Sequence, residues 1–297
     1  MVTPGSVAKP EDVSKSRDVD VVVVAFGAAD LLDRCLAPLA GRLALLVVDN
    51  SSDPAVEEVV KRHGATYIDP GRNLGFGAGV NAGLAQRASS GDVLLLNPDA
   101  SITPEAISRL HEHLLSATDL ACVAPAQVDP ETGEEARVGW PFPTPMRAWL
   151  EALGLGRLGG RTDFLIGSVL LINAKALADV GRFDERFFLY AEETDWQRRA
   201  HELGWRVRLC PDAVATHVGA GTGGARADRD THFHASNERY LRKHYGPVGW
   251  WVFRTGVLTG ALIRALVLPG DRGREAATRF RLYVRGPLQA EAHMAGA

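Results

Sequence analysis

The first 124 residues alternate short apolar runs with helix-forming segments, and that alternation leaves few folds open to the chain. Residues 20–26 hold four consecutive valines bounded by Asp20 and Gly27, the pattern of a strand buried on both faces. Residues 43–48, 65–68, 93–96 and 120–124 read as further strands. Helical stretches lie between them: 30–39, Pro54 to about 63, the segment opened by the glycine-rich turn at 73–81, and the one opened by Thr103-Pro104. Asp53 before Pro54 suits an N-cap followed by the first helical position. This order predicts an open α/β fold, a mostly parallel sheet flanked by helices. Its ligand would sit beyond the carboxyl ends of the strands, where the strand order reverses.

From 125 to 161 the pattern degrades into an irregular excursion that holds the closely spaced Pro141, Pro143 and Pro145. A strand over 164–173, a helix over 175–180, a Phe-rich turn over 181–190 and a helix over about 192–203 follow. Residues 207–209 and 214–217 read as two short strands. From Arg229 the chain reads as helical, with breaks at Gly246-Pro247 and Pro269-Gly270. The expected organisation is a disordered tail over 1–18, a transferase-sized α/β domain over 19–224 and a helical region over 225–297. The 297 residues, 46% of them hydrophobic, suffice for one large core.

The net charge of -3 gives no general pull toward nucleic acid, and no nucleic-acid partner is expected. Cys35, Cys122 and Cys210 are far apart and form no metal or disulfide pattern, which points to a reducing compartment. The first 18 residues lack the apolar core of a signal peptide. Arg254 and Arg264 interrupt the most apolar stretch, 248–268, so no membrane span is expected there. A cytoplasmic protein follows, peripheral at the inner face of the plasma membrane if the basic and aromatic C-terminal segments lie on lipid. A homodimer is admitted as a further partner.

Polar groups fall where the ligand should sit. Asp49 ends a strand; its carboxylate suits either the ring N–H of a pyrimidine base or the capping of its own loop. The turn from Asn73 to Asn81 brings backbone N–H groups to a helix start, where phosphate or sugar oxygens bind, or else packs a helix closely. Asp99, after Asn97-Pro98, is a hard oxygen ligand for Mg²⁺ or Mn²⁺ provided a diphosphate supplies further oxygens; Asn-Pro-Asp is also ordinary turn chemistry. Glu192, Glu193 and Asp195 crowd a helix start, more carboxylates than capping needs, and like charges in a cleft raise a pKa toward that of a general base. His217 closes a strand before Gly219-Ala220-Gly221, a setting that suits metal and phosphate contact.

In this order, Val47-Val48-Asp49-Asn50-Ser51-Ser52, Asn73-Leu74-Gly75-Phe76-Gly77, Leu96-Asn97-Pro98-Asp99, Gly167-Ser168, Phe183-Asp184-Glu185-Arg186-Phe187-Phe188, Glu192-Glu193-Thr194-Asp195-Trp196 and His217 resemble the family 2 inverting glycosyltransferases of the GT-A fold. Within that family the set is most similar to bacterial rhamnosyltransferases acting on polyprenyl-diphosphate-linked sugars. The resemblance covers about 20–224 and implies a GT-A domain with a helical C-terminal extension. It implies a donor site formed by Phe26, Asp49, Asn50, Ser51, Asn73, Gly75, Phe76, Gly77, Asn81, Asn97 and Gly167, with Asp49 on the base. It implies metal ligation by Asp99 and His217, and Glu193 as catalytic base, with Glu192 and Asp195 as alternatives. The implied donor is a nucleotide-diphosphate sugar, dTDP-rhamnose favoured over UDP-linked sugars, and the implied acceptor a polyprenyl-diphosphate-linked saccharide. Two departures stand out. Asn97 replaces the first acidic residue of the general metal motif, and Glu193 stands where the family more often has Asp.

Rival functions fit less well. A sugar-1-phosphate nucleotidyltransferase needs a glycine-rich, basic loop after the first strand, which residues 25–32 lack. A NAD-dependent oxidoreductase needs its glycine fingerprint at that same place. A non-catalytic nucleotide-sugar-binding protein would have no need of the full acidic set.

Overall fold

A computed structural model describes residues 19–156, 161–219 and 226–295. The tail at 1–18, the end of the irregular excursion, and Ala220 and Gly221 lie outside the described residues, as does the expected domain boundary at 224. The chain runs through β1 (Val19–Ala25), α1 (Ala29–Leu36), β2 (Ala44–Asp49), α2 (Pro54–Arg62), β3 (Thr66–Ile68), α3 (Phe76–Ala85) and β4 (Asp92–Leu96). Next come β5 (Ala100–Ile102), α4 (Pro104–Leu115), β6 (Leu120–Val128), β7 (Glu135–Ala136), β8 (Gly139–Trp140) and α5 (Arg147–Ala152). The remainder is β9 (Phe164–Leu165), β10 (Val169–Ile172), α6 (Ala174–Val180), α7 (Glu192–Glu202), β11 (Arg206–His217), α8 (Arg226–Val267), α9 (Gly270–Arg285) and α10 (Pro287–Ala295).

The main sheet runs β3-β2-β1-β4-β10-β6-β11-β5, with β7 added beside β6. All seven residues of β1 are buried, as the valine run requires. β1 pairs in parallel with β2 on one side and β4 on the other, so the strand order reverses there and a crevice opens at the carboxyl ends. The helix starts follow local chemistry. Asp53 caps α2 by accepting from the Ala55 N–H at 2.9 Å, and Thr103 caps α4 by accepting from Ala106 N–H at 3.2 Å.

Several expectations are corrected. The stretch 164–173 is two strands: β9 pairs with β8 in a small second sheet, and β10 enters the main sheet antiparallel to both β4 and β6. Gly167-Ser168 is the turn between them, where one segment changes sheets. The two short strands at 207–217 are one strand, β11, with its register broken between Cys210 and Val214. β5 is a strand of three residues, too short to leave a period; it pairs antiparallel with the end of β11.

The C-terminal helices pack on the domain through Phe187, Tyr240, Leu241, Trp250 and Tyr283. α8 kinks at Gly246, whose φ of +67° suits glycine, before Pro247. Its segment from Ala227 to Val267 is long and apolar enough, by length and composition, to cross a membrane, with a window of mean hydropathy 1.2. That corrects the expectation that Arg254 and Arg264 rule out any such helix. Both arginines are absorbed by the fold: Arg254 donates to the carbonyls of Tyr283 and Val284, and Arg264 to that of Glu151.

Candidate active site

The ends of β1 and β2 form one side of the crevice. Asp49 is fully buried, and both its oxygens are engaged. Oδ1 accepts from the N–H and hydroxyl of Ser51, at 2.9 and 2.5 Å; Oδ2 accepts from Asp53 N–H at 2.9 Å and the Tyr67 hydroxyl at 3.0 Å. The Ser51 hydroxyl in turn accepts from Gly27 N–H at 2.9 Å, tying the β1 end to the β2 end. The carboxylate thus shapes its loop, and these four bonds fill its lone-pair sites. Phe26 stands exposed beside this loop.

Asn50 holds the glycine turn: its amide donates to Gly75 O at 2.9 Å and its oxygen accepts from Leu74 N–H at 3.3 Å. Asn73 accepts from Gly75 N–H at 2.9 Å, and Phe76 N–H donates to Phe188 O at 2.8 Å. Gly75 sits at φ +79° with its Cα against Phe188 O, where a Cβ would approach to 2.0 Å. Along α3, a Cβ at Gly79 or Gly83 would lie 2.8 Å from Val24 or 2.6 Å from Val22, so the helix packs on β1 as closely as backbone permits. Gly77 faces Glu192, whose Cβ lies 3.2 Å from where its own would be.

Asn81 pins the Phe-rich turn: its amide donates to Phe183 O and to Glu185, both at 2.9 Å, and its oxygen accepts from Phe183 N–H at 3.0 Å.

The metal candidates come together across the strands. β5 and β11 pair with His217 opposite Ala100, which brings the imidazole over the turn that carries Asp99. Asp99 Oδ1 and His217 Nε2 lie 3.2 Å apart, their side chains 3% and 16% exposed. His217 Nε2 is buried and makes no hydrogen bond. One hard oxygen and one imidazole nitrogen, both screened from bulk water, fit Mg²⁺ or Mn²⁺ that receives its other ligands from substrate and water. Among the described residues no group of three or more His, Cys, Asp or Glu is placed to hold a metal ion. Cys35 adds no ligand: burial and the Asp99 charge push its thiol far up. Asn97 contributes backbone, its N–H donating to Ser168 O at 2.8 Å and its carbonyl accepting from Ala100 N–H at 3.1 Å.

The three carboxylates of α7 separate into different roles. Tyr190 and Ala191 both adopt left-handed backbone, φ +68° and +64°, immediately before the helix. Two such non-glycine residues in succession cost about 1–3 kcal/mol each and turn the helix start sharply into the site. Glu192 is buried beside Gly77; burial and the neighbouring Glu193 push its carboxyl well above the usual range. Glu193 is raised by burial, against the pull of backbone N–H groups that include Gly167. Each keeps one buried oxygen, Oε2, without a hydrogen bond. Asp195 is different. Burial raises it, yet His244, Lys243 and Arg199 outweigh that and hold it ionised, at 2.9, 2.6 and 3.0 Å. Held by Lys243, Arg199 and the His244 ring, Asp195 ties α7 to α8.

Glu193 alone of the three lines a cavity of about 490 Å³ between the domain and the C-terminal helices. Gly167 stands opposite, its Cβ position 3.6 Å from Glu193 and 3.5 Å from Phe76. Some residues that shape this place escaped the sequence. Gln197 accepts from Leu165 N–H at 2.8 Å and donates to Leu165 O at 2.7 Å and Glu193 O at 3.1 Å, locking β9 to the first turn of α7. Ser168 donates to Gln127, buried in the sheet, at 2.9 Å. A glutamine on the apolar face of α7, next to Trp196 and Ala200, is the available signal for the first; Ser168 stands in the Gly167-Ser168 segment, and nothing marks its partner Gln127.

Residues 20–181 match the family described as glycosyl transferase family 2. The chain is 30% identical over 266 residues, 78% of this chain and 85% of the relative, to the N-acetylglucosaminyl-diphospho-decaprenol L-rhamnosyltransferase of Mycobacterium tuberculosis. It is 26% identical to a low-salt glycan biosynthesis hexosyltransferase of Haloferax volcanii, over 67% of each. Among solved structures it resembles a mannosyltransferase of Pyrobaculum calidifontis in complex with GDP-Man and Mn²⁺, at TM-score 0.57 and 16% identity over 97% of this chain and 88% of that one. It also resembles glucosyl-3-phosphoglycerate synthase of Mycobacterium tuberculosis, in complex with Mn²⁺, UDP and phosphoglyceric acid, at TM-score 0.54 and 18% identity over 79% and 81%. The mixed sheet and its flanking helices are those of the GT-A fold.

Proposed function

Because the chain belongs to glycosyl transferase family 2 and is a glycosyltransferase, we propose that it moves L-rhamnose from dTDP-rhamnose to a hydroxyl of a polyprenyl-diphosphate-linked saccharide, with inversion. The observation that carries the reading is the juxtaposition of Asp99 and His217 at the carboxyl edge of the sheet. The sugar and the acceptor are those in the name of the mycobacterial relative.

Asp99 and His217 would hold Mg²⁺ or Mn²⁺, which, when bound, neutralises the leaving diphosphate. The loops at the ends of β1 and β2 take the nucleotide: Phe26 offers a face to the base, and Asp49 fixes the loop through Ser51. Asn50 and Asn73 hold the glycine turn against the diphosphate side. Glu193 accepts the proton of the acceptor hydroxyl as that oxygen attacks the anomeric carbon. Its raised pKa suits the task, since a base works best when its pKa lies near the operating pH. One displacement needs no second nucleophile, and Glu192, buried behind Glu193, supplies none.

The protein would work at the cytoplasmic face of the membrane as a peripheral protein. The second half of α8 exposes Val248, Trp251, Leu262, Ile263, Leu266 and Val267, while its inner face packs on α5 and α9. A helix glued to two others along one face and apolar along the other suits a bilayer surface better than a crossing.

Purified protein would be given dTDP- and UDP-linked sugars in turn, Mg²⁺ or Mn²⁺, and N-acetylglucosaminyl-diphospho-polyprenol, with product mass and anomeric configuration read. Rhamnose added with inversion supports the reading. Transfer only from a UDP-sugar overturns the donor, a retained configuration overturns the mechanism, and donor binding without turnover leaves a non-catalytic binder.

A further inference from the structure

The geometry points to the cavity between α5, α7, α8 and α9 as the site for the lipid-diphosphate portion of the acceptor, with Arg279 as the group that reads the diphosphate. This rests on the lipid-linked acceptor proposed above and says where its anchor lies. The cavity is walled mainly by apolar and aromatic surface, Trp140, Phe164, Ile166, Phe253 and Val257 among it. Its volume of about 490 Å³ is that of a site for one ligand of moderate size. Glu193 lines it, so a molecule seated here reaches the proposed base.

Charge selects the occupant. Arg147, Arg264 and Arg279 line the same cavity, against the carboxyl groups of Glu151 and Glu193. His234, pushed down to about 4 by burial and then by Arg279, adds no charge near neutral pH. Three guanidiniums against two carboxyl groups leave the lining net positive, which complements the negative charge of a diphosphate diester. A plain alkyl chain would not need it, and a free nucleotide would not need the apolar wall.

The three arginines are not equivalent. Arg147 is spent on Glu151 at 3.6 Å and on Gly156 O at 3.4 Å, and Arg264 donates to Glu151 O at 2.8 Å. Arg279 makes no ion pair with any described residue, yet it lies close enough to bias both His234 and Tyr283. It is the guanidinium free to turn to a phosphate. The exposed apolar side chains of α8 adjoin the cavity, since Gly256 and Val257 on that helix line it. A long chain leaving the cavity would thus run onto the surface proposed to meet the bilayer.

The test uses the full chain and farnesyl diphosphate as probe, in EDTA so that no metal draws the diphosphate to Asp99 and His217. Calorimetry should show farnesyl diphosphate binding at least tenfold more tightly than farnesol. Arg279→Glu should weaken it at least tenfold, Arg279→Lys by less, and Val257→Trp should abolish it by filling the cavity. In turnover assays Arg279→Glu should raise the KM for the lipid-linked acceptor about tenfold with the donor KM unmoved. Its KM for an alkyl glycoside of the acceptor sugar, which lacks diphosphate, should not follow. Equal binding of farnesol and farnesyl diphosphate, insensitivity to Arg279→Glu, or a parallel rise of both KM values overturns the inference. Donor hydrolysis with no transfer to any lipid-linked sugar overturns the acceptor reading instead, and leaves the farnesyl diphosphate result to be judged by itself.

Discussion

At the scale of single residues, burial decides which carboxylate does what. Glu193 and Asp195 are two positions apart on α7, so they face different sides of the helix and meet opposite environments. Glu193→Gln should cut kcat by about 10²–10⁴-fold, the usual worth of a general base, with donor Kd unchanged by calorimetry. The acidic limb of the pH–rate profile should lie above the ordinary carboxylate range, because burial raises Glu193. Asp195→Asn should act on stability. Removing one partner from a buried charge cluster costs about 3–5 kcal/mol, so this variant should melt well below Glu193→Gln in thermal unfolding. The pH dependences have opposite signs. Glu192 binds its proton more tightly folded than unfolded, so stability falls as pH rises from the ordinary carboxylate range through its raised value. Glu192→Gln should flatten that part of the Tm–pH curve. Asp195 is lowered on folding; the stability it contributes is present above about pH 4 and is lost as pH falls toward its folded value. Asp99→Ala or His217→Ala should each weaken Mn²⁺ binding in the presence of nucleotide diphosphate by at least tenfold, read by calorimetry.

At the scale of elements, what was legible in the sequence is what local physics fixes. The valine run, the Asp53 and Thr103 caps and the glycine turn declare themselves within a few residues, and β1, α2, α4 and α3 follow. β10 was seen as a strand but not as an antiparallel one, because direction is set by which neighbours it inserts between, and no local period encodes that. The Asp99–His217 pair came from a resemblance; spacing alone could not place two groups so far apart in sequence side by side, and only the short β5–β11 pairing does so. The carboxylate cluster was legible as a cluster, but its division was not, since the partners of Asp195 sit on α8. The turn-pinning bonds of Asn81 were not legible, because its partners lie about a hundred residues away on the Phe-rich turn. The glycines of α3 carry a prediction at this scale. Gly83→Val would drive a branched side chain into Val22, from which even a Cβ would be 2.6 Å distant. Overpacking of that kind costs about 1–3 kcal/mol, and here it should also lift the helix whose start carries the donor loop. Chemical denaturation should show the loss, and the donor KM should rise with it.

At the scale of the whole molecule, α7, which carries the proposed base, and the C-terminal helices are tied into one mechanical unit. Lys243 and His244 of α8 grip Asp195 on α7, and Ser236 donates to Leu189 O just before the strained entry to that helix. Docking α8 on a bilayer would therefore present the cavity and Glu193 to a lipid-linked substrate without leaving the surface. Two contributions to such docking are separable. The exposed side chains of α8 supply the apolar part, at about 25 cal/mol per Å² buried. Arg272, Arg281 and Arg285, exposed on α9, supply the electrostatic part, worth about 1 kcal/mol each at an anionic surface and screened over about 8–10 Å by physiological salt. Arg274 is already paired with Asp271 and adds less. In vesicle flotation, the protein should rise with anionic vesicles more than with neutral ones, and added salt should remove the difference but not the neutral-lipid binding. Reversing Arg272, Arg281 and Arg285 to Glu should abolish the anionic preference alone. Leu266→Glu with Val267→Glu should abolish flotation on both, with Tm unchanged because both side chains are more than two-thirds exposed. Unaltered flotation in that double variant would mean that the apolar face of α8 meets something other than lipid.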